Sequence, residues 1–546
     1  MASPKIVGVE TEYANFLDSP GAPSGSPERA ARLILAHVEE LALRDGGARA
    51  QEWGSYGRPI PAAGWNPTPQ PHYMSSGWGF GSDFTVAGAR IYEDHFHCEL
   101  STQECLSARD LVACVKAGDA VIDRARRAAS RTLPAGDAVV VLANNADGHG
   151  NSYAGHLNVL MSRDAFDFLF DRRPQVLYRS LVPFLVTSQV ITGAGKVGAE
   201  NGAAPALFQL SQRADFIETA GVHAGTTCFR PLVNSRDEPL ADRERFGRLH
   251  LIVFDTNRME WALWLKAGMT QLIVAMVEDA LLDDAALLPD LTLADPVAAF
   301  HTVSRDLSLR EPLGLDAGTG RSAVEMQAIF AEAARSYVQS GAAEGIVPEA
   351  EAIVEGWLDT LSLLERADLN ALSDRLDWVA KLACIGAAGL PLDDPRAKVA
   401  DLRYADVNPD RGLYHVVCAK AGRARRVTTD DEVARMQIAA PTNTRAYVRS
   451  ELLRRFAHEV VSVDWQRMTV RDANGSWWQG RKDVDLGDPA GLEARRVDNA
   501  AAEAPNAVDL CRRLNLLRES AATTGWGLPR STSGDRDATE GGYYSN

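Results

Sequence analysis

"KIVGVETEYA", residues 5–14, is rich in valine and alternates apolar with polar positions, so it reads as a strand with one face in a core. Alternation puts Glu10 and Glu12 on one face, two residues apart. Paired carboxylates repel unless something positive lies between them. A divalent metal with nucleotide phosphates answers that need, because Mg²⁺ takes oxygen ligands and keeps waters. Two ordinary glutamates on a solvent-facing strand are the alternative.

Working outward, "SPERAARLILAHVEELALRDGG" predicts a helix with Ser26 as N-cap and Pro27 at its first position, stopped by Gly46-Gly47. Residues 45–86 run Gly-, Pro- and aromatic-rich, a loop of a length usually reserved for function or disorder. Strand signals recur at 87–93, 138–145, 156–162 and 249–255. Helices are expected at 108–130 and 164–172, at 258–282, and several times within 322–385. "DLRYADVNPDRGLYHVV" (401–417) reads as extended. A smaller section, 411–518, carries the basic residues Lys420, Arg423, Arg425 and Arg426, which suit a docking groove for an acidic, disordered partner or a solvated helix face. Residues 519–546 are polar and Gly/Ser-rich, the composition of a disordered tail. The fold class is α+β: a large antiparallel-leaning sheet covered by helices (1–410) with a small C-terminal domain (411–518).

The chain has 546 residues, 46% of them hydrophobic, enough for a sizeable core and more than one domain. Its net charge of −16 argues against nucleic acid or an anionic membrane as the main partner. Seven scattered cysteines without CxxC spacing fit a reducing cytosol and neither a disulfide framework nor a zinc cluster. "MASPKIVGVE" lacks an apolar signal core, and "ALWLKAGMTQLIVAMV" (262–277) reads as a buried helix interrupted by Lys266 and Gln271. A cytoplasmic location is expected.

Three polar concentrations are candidates for chemistry. In "IYEDHFHCEL" (91–100), strand parity points Arg90, Tyr92 and Asp94 one way and Ile91 and Glu93 the other. Glu99 is out of phase with Asp94, so both serve one site only if the strand breaks between them. His95 and His97 form an HxH pair that could bind zinc, but no further His or Cys stands at finger spacing. In "NNADGHGNSYAGHLN" (144–158), Ser152, Tyr153, His156 and Asn158 could face a nucleotide, although a hairpin turn explains the glycines equally well. Arginines in "SQRADF" (211–216), "VNSRDEP" (233–239) and "FGRLH" (246–250) could grip phosphate or carboxylate, or pair on the surface.

Taken together, "GVETEYA", "GARIYEDHFHCELSTQEC", "NNADGHGNSYAGHLNVLMSR", "PFLVTSQVITGAGKVG", "FQLSQRADFIE", "NSRDEPLADRERFGRLH", "GLYHVV" and "TNTRAYVRSELLRRF" resemble, in order and over about residues 4–470, one family. It is the family of the ligase and the deamidase/depupylase of the prokaryotic ubiquitin-like protein Pup. The resemblance implies a glutamine-synthetase-like sheet domain that uses ATP and Mg²⁺ in a trough on the sheet. It implies Asp94 as the catalytic aspartate. Glu10, Tyr92, Glu99 and, further, His156 match magnesium-associated positions, and Arg90, Thr102, Asn158, Arg248 and Trp465 match nucleotide-contacting ones.

The depupylase branch reads Asp-His-Ala-His-Pro-Glu-Tyr after its strand and the ligase branch Asp-Val-Gly-Ser-His-Pro-Glu-Tyr. "DHFHCEL" has the depupylase length and the histidine after aspartate, and the 45–86 segment stands where the depupylase has its loop. "GNSYAGH", "GAGKV", "VTTDDEV" and "SVDW" look closer to the ligase. The expected activity is therefore cleavage of the isopeptide bond between a Pup-like modifier and a substrate lysine, or deamidation of the modifier's terminal glutamine. Ligation through a glutamyl phosphate is the alternative. Cys98 and Leu100 replace the family's Pro and Tyr, and Leu157 the Glu of its His-Glu-Asn motif. By strand parity Leu157 faces away from His156 and Asn158. These departures also admit a degenerate paralogue that only binds nucleotide or modifier.

Overall fold

The structure is a computed structural model and describes residues 2–21, 25–39, 41, 84–153, 155–221, 229–283, 288–471 and 480–518. Most of the loop expected at 45–86, and all of the tail at 519–546, lie outside the described residues.

Strand β1 (Val7–Asp18) is central, and its burial alternates residue by residue, as the valine-rich pattern predicts. Helix α1 (Pro27–Ala36) follows, with the Ser26 hydroxyl accepting from Arg29 N at 3.2 Å and Pro27 in its first turn. It stops at Ala36, ten residues before the glycines expected to end it. Strands β2 (Arg90–Asp94) and β3 (His97–Ser101) form a hairpin, followed by helix α2 (Ala108–Ser130), capped by Ser107. Then come β4 (Ala138–Leu142), β5 (Gly155–Ser162), the two-residue strands β6 (Lys196–Val197) and β7 (Phe208–Gln209), and β8 (Phe246–Leu251). The main sheet runs β2-β3-β1-β5-β8, every pair antiparallel, with β4 paired to the far half of β1. This is the α+β architecture expected.

One face of that sheet is apolar. Val7 and Val9 (β1), Leu157 and Val159 (β5), and Leu249 and Leu251 (β8) pack against Leu111, Val112 and Val115 of α2. Leu265, Met269 and Leu272 of α3 (Glu260–Asp283) close the same layer. Each fully buried aliphatic side chain contributes about 1.5–3 kcal/mol, so this layer fixes which face of β1 points inward. Lys5 and Glu278 form a buried ion pair that ties the start of β1 to α3. Among the described residues no helix is long and apolar enough to cross a membrane.

Helices α4 (Ala323–Gln339) and α5 (Ala350–Glu365) thicken the helical layer. A second, smaller core gathers Val448, Leu452 and Leu453 of α6 (Arg445–Phe456). It adds residues of β9 (Val460–Val463), β10 (Arg467–Arg471), β11 (Arg481–Asp485), α7 (Ala494–Glu503) and α8 (Ala507–Leu514). Phe84, from before β2, joins it, whereas Tyr414, Cys418 and Met436 belong to the large core.

Two expected strands differ. The one placed at 249–255 spans Phe246–Leu251. After it the chain leaves the sheet, because the Asp255 carboxylate collects hydrogen bonds from Ala194 N, Ser211 Oγ and Gln212 N. Residues 401–417 are not extended. Asp394 accepts from Arg396 N at 2.8 Å and Pro395 opens a helix that runs to Tyr404, with a π-helical turn at Tyr414–Ala419. Only Asp406 bridges to β4, through Leu142. Of the four basic residues, Lys420 pairs with Asp410 and Arg426 with Asp430, while Arg425 stacks 3.8 Å over Trp261. The six described cysteines are free.

Candidate active site

Register carries the polar face. Arg90 pairs with Ser101 and Tyr92 with Glu99 across the hairpin. Glu10 and Glu12 stand opposite Ser101 and Glu99 on one side, and Glu10 opposite His156 on the other. Asn158 is opposite His250, and Leu160 opposite Arg248. Because opposite residues share a face, Arg90, Tyr92, Asp94, Glu99, Glu10, Glu12, His156, Asn158, Arg248 and His250 all project from the side of the sheet away from the helical core. The break needed to bring Asp94 and Glu99 together is present. His95 and Phe96 turn the chain with φ of 45° and 73°, so Asp94 faces His97. Two consecutive non-glycine residues there cost roughly 1–2 kcal/mol each. Buried Asn15 offsets this by accepting from Cys98 N (2.8 Å) and donating to Phe96 O (3.0 Å).

Two groups of ligand atoms lie within 4.8 Å of one another: Glu12, Asp94 and Glu99, and Glu10, His156 and His250. In the first group, burial, with the charges of Glu12 and Glu10 beside it, pushes the Glu99 carboxyl well above the usual range. The Tyr92 hydroxyl donates to Glu99 Oε1 at 2.5 Å, and the Arg90 guanidinium lies 4.3 Å over the Tyr92 ring. Asp94 stands at the strand end, with His95 Nδ1 at 2.9 Å from its Oδ1. His97 does not join His95 as a metal pair; its Nδ1 is 3.9 Å from Glu12 and its ring packs on Tyr153.

In the second group, burial alone would raise the Glu10 carboxyl. A hydrogen bond with His156 Nδ1 (3.1 Å) and the nearby Arg248 charge hold it well below its usual value. Asn158 Nδ2 donates to Glu10 Oε1 at 3.0 Å. With the amide so oriented, Asn158 Oδ1 receives the Nδ1 proton of His250 at 2.7 Å. Burial and neighbouring His156 lower His250 far below its ordinary value. It is therefore neutral, with Nε2 free as a lone pair. Arg248 also reaches Glu238 at 3.6 Å.

The remaining expected residues sit differently. Thr102 is 3% exposed and its Oγ1 accepts from Val9 N at 3.0 Å, so it braces β1 from beneath. Trp465 lies in the smaller core against Phe84, ring centroids 5.0 Å apart. Arg449 stacks on both rings, donates to Trp465 O and Gly88 O, and with Arg445 pairs to Glu104. That network fastens the segment bearing Trp465 to the chain entering β2. Leu157 is fully buried among the sheet's core residues, facing away from His156 and Asn158. Sequence reasoning missed His250, Glu238, Glu104 and Arg449. His250 carried a signal, since it shares a strand face with Arg248 two residues before it.

A sheet with one face in a helical core and the other lined with carboxylates, histidines and arginines is an α+β scaffold that presents a polar candidate site. The chain belongs to the Pup-ligase protein family, whose model matches residues 5–469. It is 35% identical over 473 residues to the Pup deamidase/depupylase of Mycolicibacterium smegmatis, covering 84% of this chain and 90% of that protein. It is 38% identical over 409 residues to the Pup–protein ligase of Corynebacterium diphtheriae, covering 72% and 81%. Among solved structures, the complex of Pup with its ligase PafA superposes with a TM-score of 0.72 at 28% identity, covering 91% of this chain and 92% of that one. PafA with ADP superposes at 0.65 with 32% identity, covering 77% and 89%.

Proposed function

We propose that this chain is an amide hydrolase that uses ATP and Mg²⁺ to release a Pup-like modifier from substrate lysines, or to deamidate the modifier's terminal glutamine, with Asp94 as its acting carboxylate. The observation that carries this reading is Asp94 itself, at an open strand end, clustered with Glu12 and Glu99 on the sheet face. The depupylase names among the relatives and the length of the "DHFHCEL" hairpin favour hydrolysis. The PafA complexes with Pup and with ADP support the partner and the nucleotide.

The donor set fits a hard divalent cation. Oxygen atoms predominate, and a positive charge among Glu12, Asp94 and Glu99 relieves the repulsion that raises Glu99. Glu99, with Glu12 beside it, would hold a cation in one group and Glu10 and His156, with His250 added, in the other, and Tyr92 orients Glu99. Arg90, Asn158, Arg248 and Trp465 are the proposed nucleotide contacts, with Thr102 as a support. A bound cation would supply positive charge near the reacting carbonyl, and the nucleotide's anionic phosphates would help hold that cation in place.

Asp94 either attacks the amide carbonyl carbon or takes a proton from the water that does. In both routes the carbonyl becomes a tetrahedral oxyanion. Its collapse breaks the C–N bond and the amine leaves as lysine or ammonia. In the water route it takes the proton that Asp94 removed from the water. In the direct route it takes a proton from solvent, after which water hydrolyses the acyl-Asp94 anhydride and restores the carboxylate. His95 holds one Asp94 oxygen and leaves the other for the reaction.

Ligation is the second reading, favoured by the ligase relative and by both PafA structures. Incubation with ATP, a modifier ending in glutamate and a lysine acceptor separates the two. Conjugate with stoichiometric ADP marks a ligase; loss of preformed conjugate without stoichiometric ATP use marks a depupylase. Nucleotide binding with neither reaction marks a binding-only paralogue.

A further inference from the structure

The β2–β3 turn holds a residue that the reaction described above leaves unused. Turns of two residues with positive φ favour Asn and Gly, yet this one holds His95 and Phe96. Phe96 is 54% exposed at φ 73°, and among the described residues its ring stacks on no other. The strain is not left to relax. Asn15, on β1, grips the turn at Phe96 O and Cys98 N and is also tied to Pro27 O at the mouth of α1. A conformation that is unfavourable, held at two backbone atoms by an anchored side chain and presenting a large apolar group to solvent is the pattern of a functional constraint.

Phe96 lies beyond Asp94, on the side away from Arg90, Arg248 and Trp465. By register Arg90 and Arg248 stand toward one end of the polar face and Asp94 at the other, so a substrate that entered from the Arg248 end would carry its leaving amine outward past the turn. For a lysine conjugate that group begins with four methylenes, which are apolar and flexible, and continues into a protein surface.

We propose that Phe96 is a positioning residue that packs on the lysine side of the isopeptide bond, selecting protein-borne amines over ammonia as the leaving group. This rests on the hydrolase reading above. The phenyl desolvates the lysine stem and fixes the scissile C–N bond against Asp94.

The experiment compares two reactions of one protein, cleavage of a lysine conjugate and deamidation of a modifier ending in glutamine, in wild type, Phe96→Asn and Phe96→Leu. Asparagine tolerates the left-handed conformation, so Phe96→Asn is expected to keep or raise Tm. Its kcat/KM for conjugate should fall about fivefold to tenfold more than for deamidation, mostly through KM, the size of one or two lost methylene contacts. Phe96→Leu should recover much of the difference. Equal losses in both reactions, no loss, or a fall in Tm showing that the phenyl is packed within the protein would each overturn the proposal. If the wild type forms conjugates instead, the hydrolase reading fails separately. The same variants are then compared with a protein lysine and with hydroxylamine as the incoming amine, with the same pattern expected. A wild type inactive in all of these reactions overturns both.

Discussion

Tyr92 and Glu99 face each other across the β2–β3 hairpin, joined by a 2.5 Å hydrogen bond from the phenol to a carboxylate that Glu12 and Glu10 crowd from β1. The pair shows the character of its half of the sheet face: the Glu12, Asp94 and Glu99 carboxyl groups stand closer than their ionised forms tolerate without a counter-charge, whereas Glu10 has His156 and Arg248 beside it.

The Glu99 carboxyl, raised by burial and by Glu12 and Glu10, gives a definite pH dependence. Its folded form holds a proton that the unfolded chain releases near its ordinary value of about 4.5. The native state therefore binds more protons, and its stability falls as pH rises above that value. Without divalent cation, Glu99→Gln should raise Tm at pH 7 relative to wild type. Addition of Mg²⁺ should raise the wild-type Tm and move that of Glu99→Gln much less. Thermal melts across pH with and without Mg²⁺ check both.

Asp94 is partly exposed at the end of its strand, so its replacement should spare the fold. Asp94→Asn is expected to lower turnover at least about 100-fold while shifting stability by no more than about 0.5 kcal/mol. Single-turnover cleavage of a preformed conjugate, beside a denaturant melt, tests this. Full cleavage by the variant would remove Asp94 from its role.

Leu157, which the family resemblance sets at a glutamate position, is buried between Val9 and Leu251 in the register. Leu157→Glu should therefore gain no activity and should destabilise by about 3–4 kcal/mol, the result of placing a carboxylate in an apolar layer. Urea denaturation measures this directly; a stable and more active variant would show that the position serves the site.

Glu104 binds two arginines that are themselves buried, Arg445 and Arg449. Burial would raise its carboxyl, but the two guanidinium groups hold it down to about 2. Its contribution is present above about pH 4.5 and lost as pH falls toward 2. Glu104→Ala, which leaves both cations unpaired, should destabilise by about 3–5 kcal/mol. It should also weaken nucleotide binding, because Trp465 loses its tether to the chain entering β2. Titration with a fluorescent nucleotide is the readout.

Much of this was legible in residue order. The alternation in β1 and the Ser26-Pro27 start of α1 each follow from local rules, and so did the orientation of Tyr92 and Asp94. Phase alone also placed Leu157 in the core. What stayed hidden depends on partners remote in sequence. His250 joins Glu10 only because β5 lies between β1 and β8, and Arg449 reaches Glu104 across more than three hundred residues. Residues 401–417 misled because Leu402 and Tyr404, two residues apart, imitate one face of a strand, while the helix that claims them begins upstream at Asp394-Pro395. The 249–255 segment misled by its apolar run, since nothing local reveals that Asp255 is taken up by four donors.

Strand β1 is shared property. Val7 and Val9 support the helical layer while Glu10 and Glu12 lie on the opposite, polar face, and the two sets differ only by a step of one residue. A single codon inserted within the strand would turn Val9 toward solvent and drive both glutamates against α2 and α3. Insertions and deletions here cannot yield a weakened catalyst on an intact scaffold. Divergence of this protein is thereby confined to substitutions in place and to the turns, and the β2–β3 turn, with Phe96 at its tip, is where new specificity can be acquired without touching the scaffold.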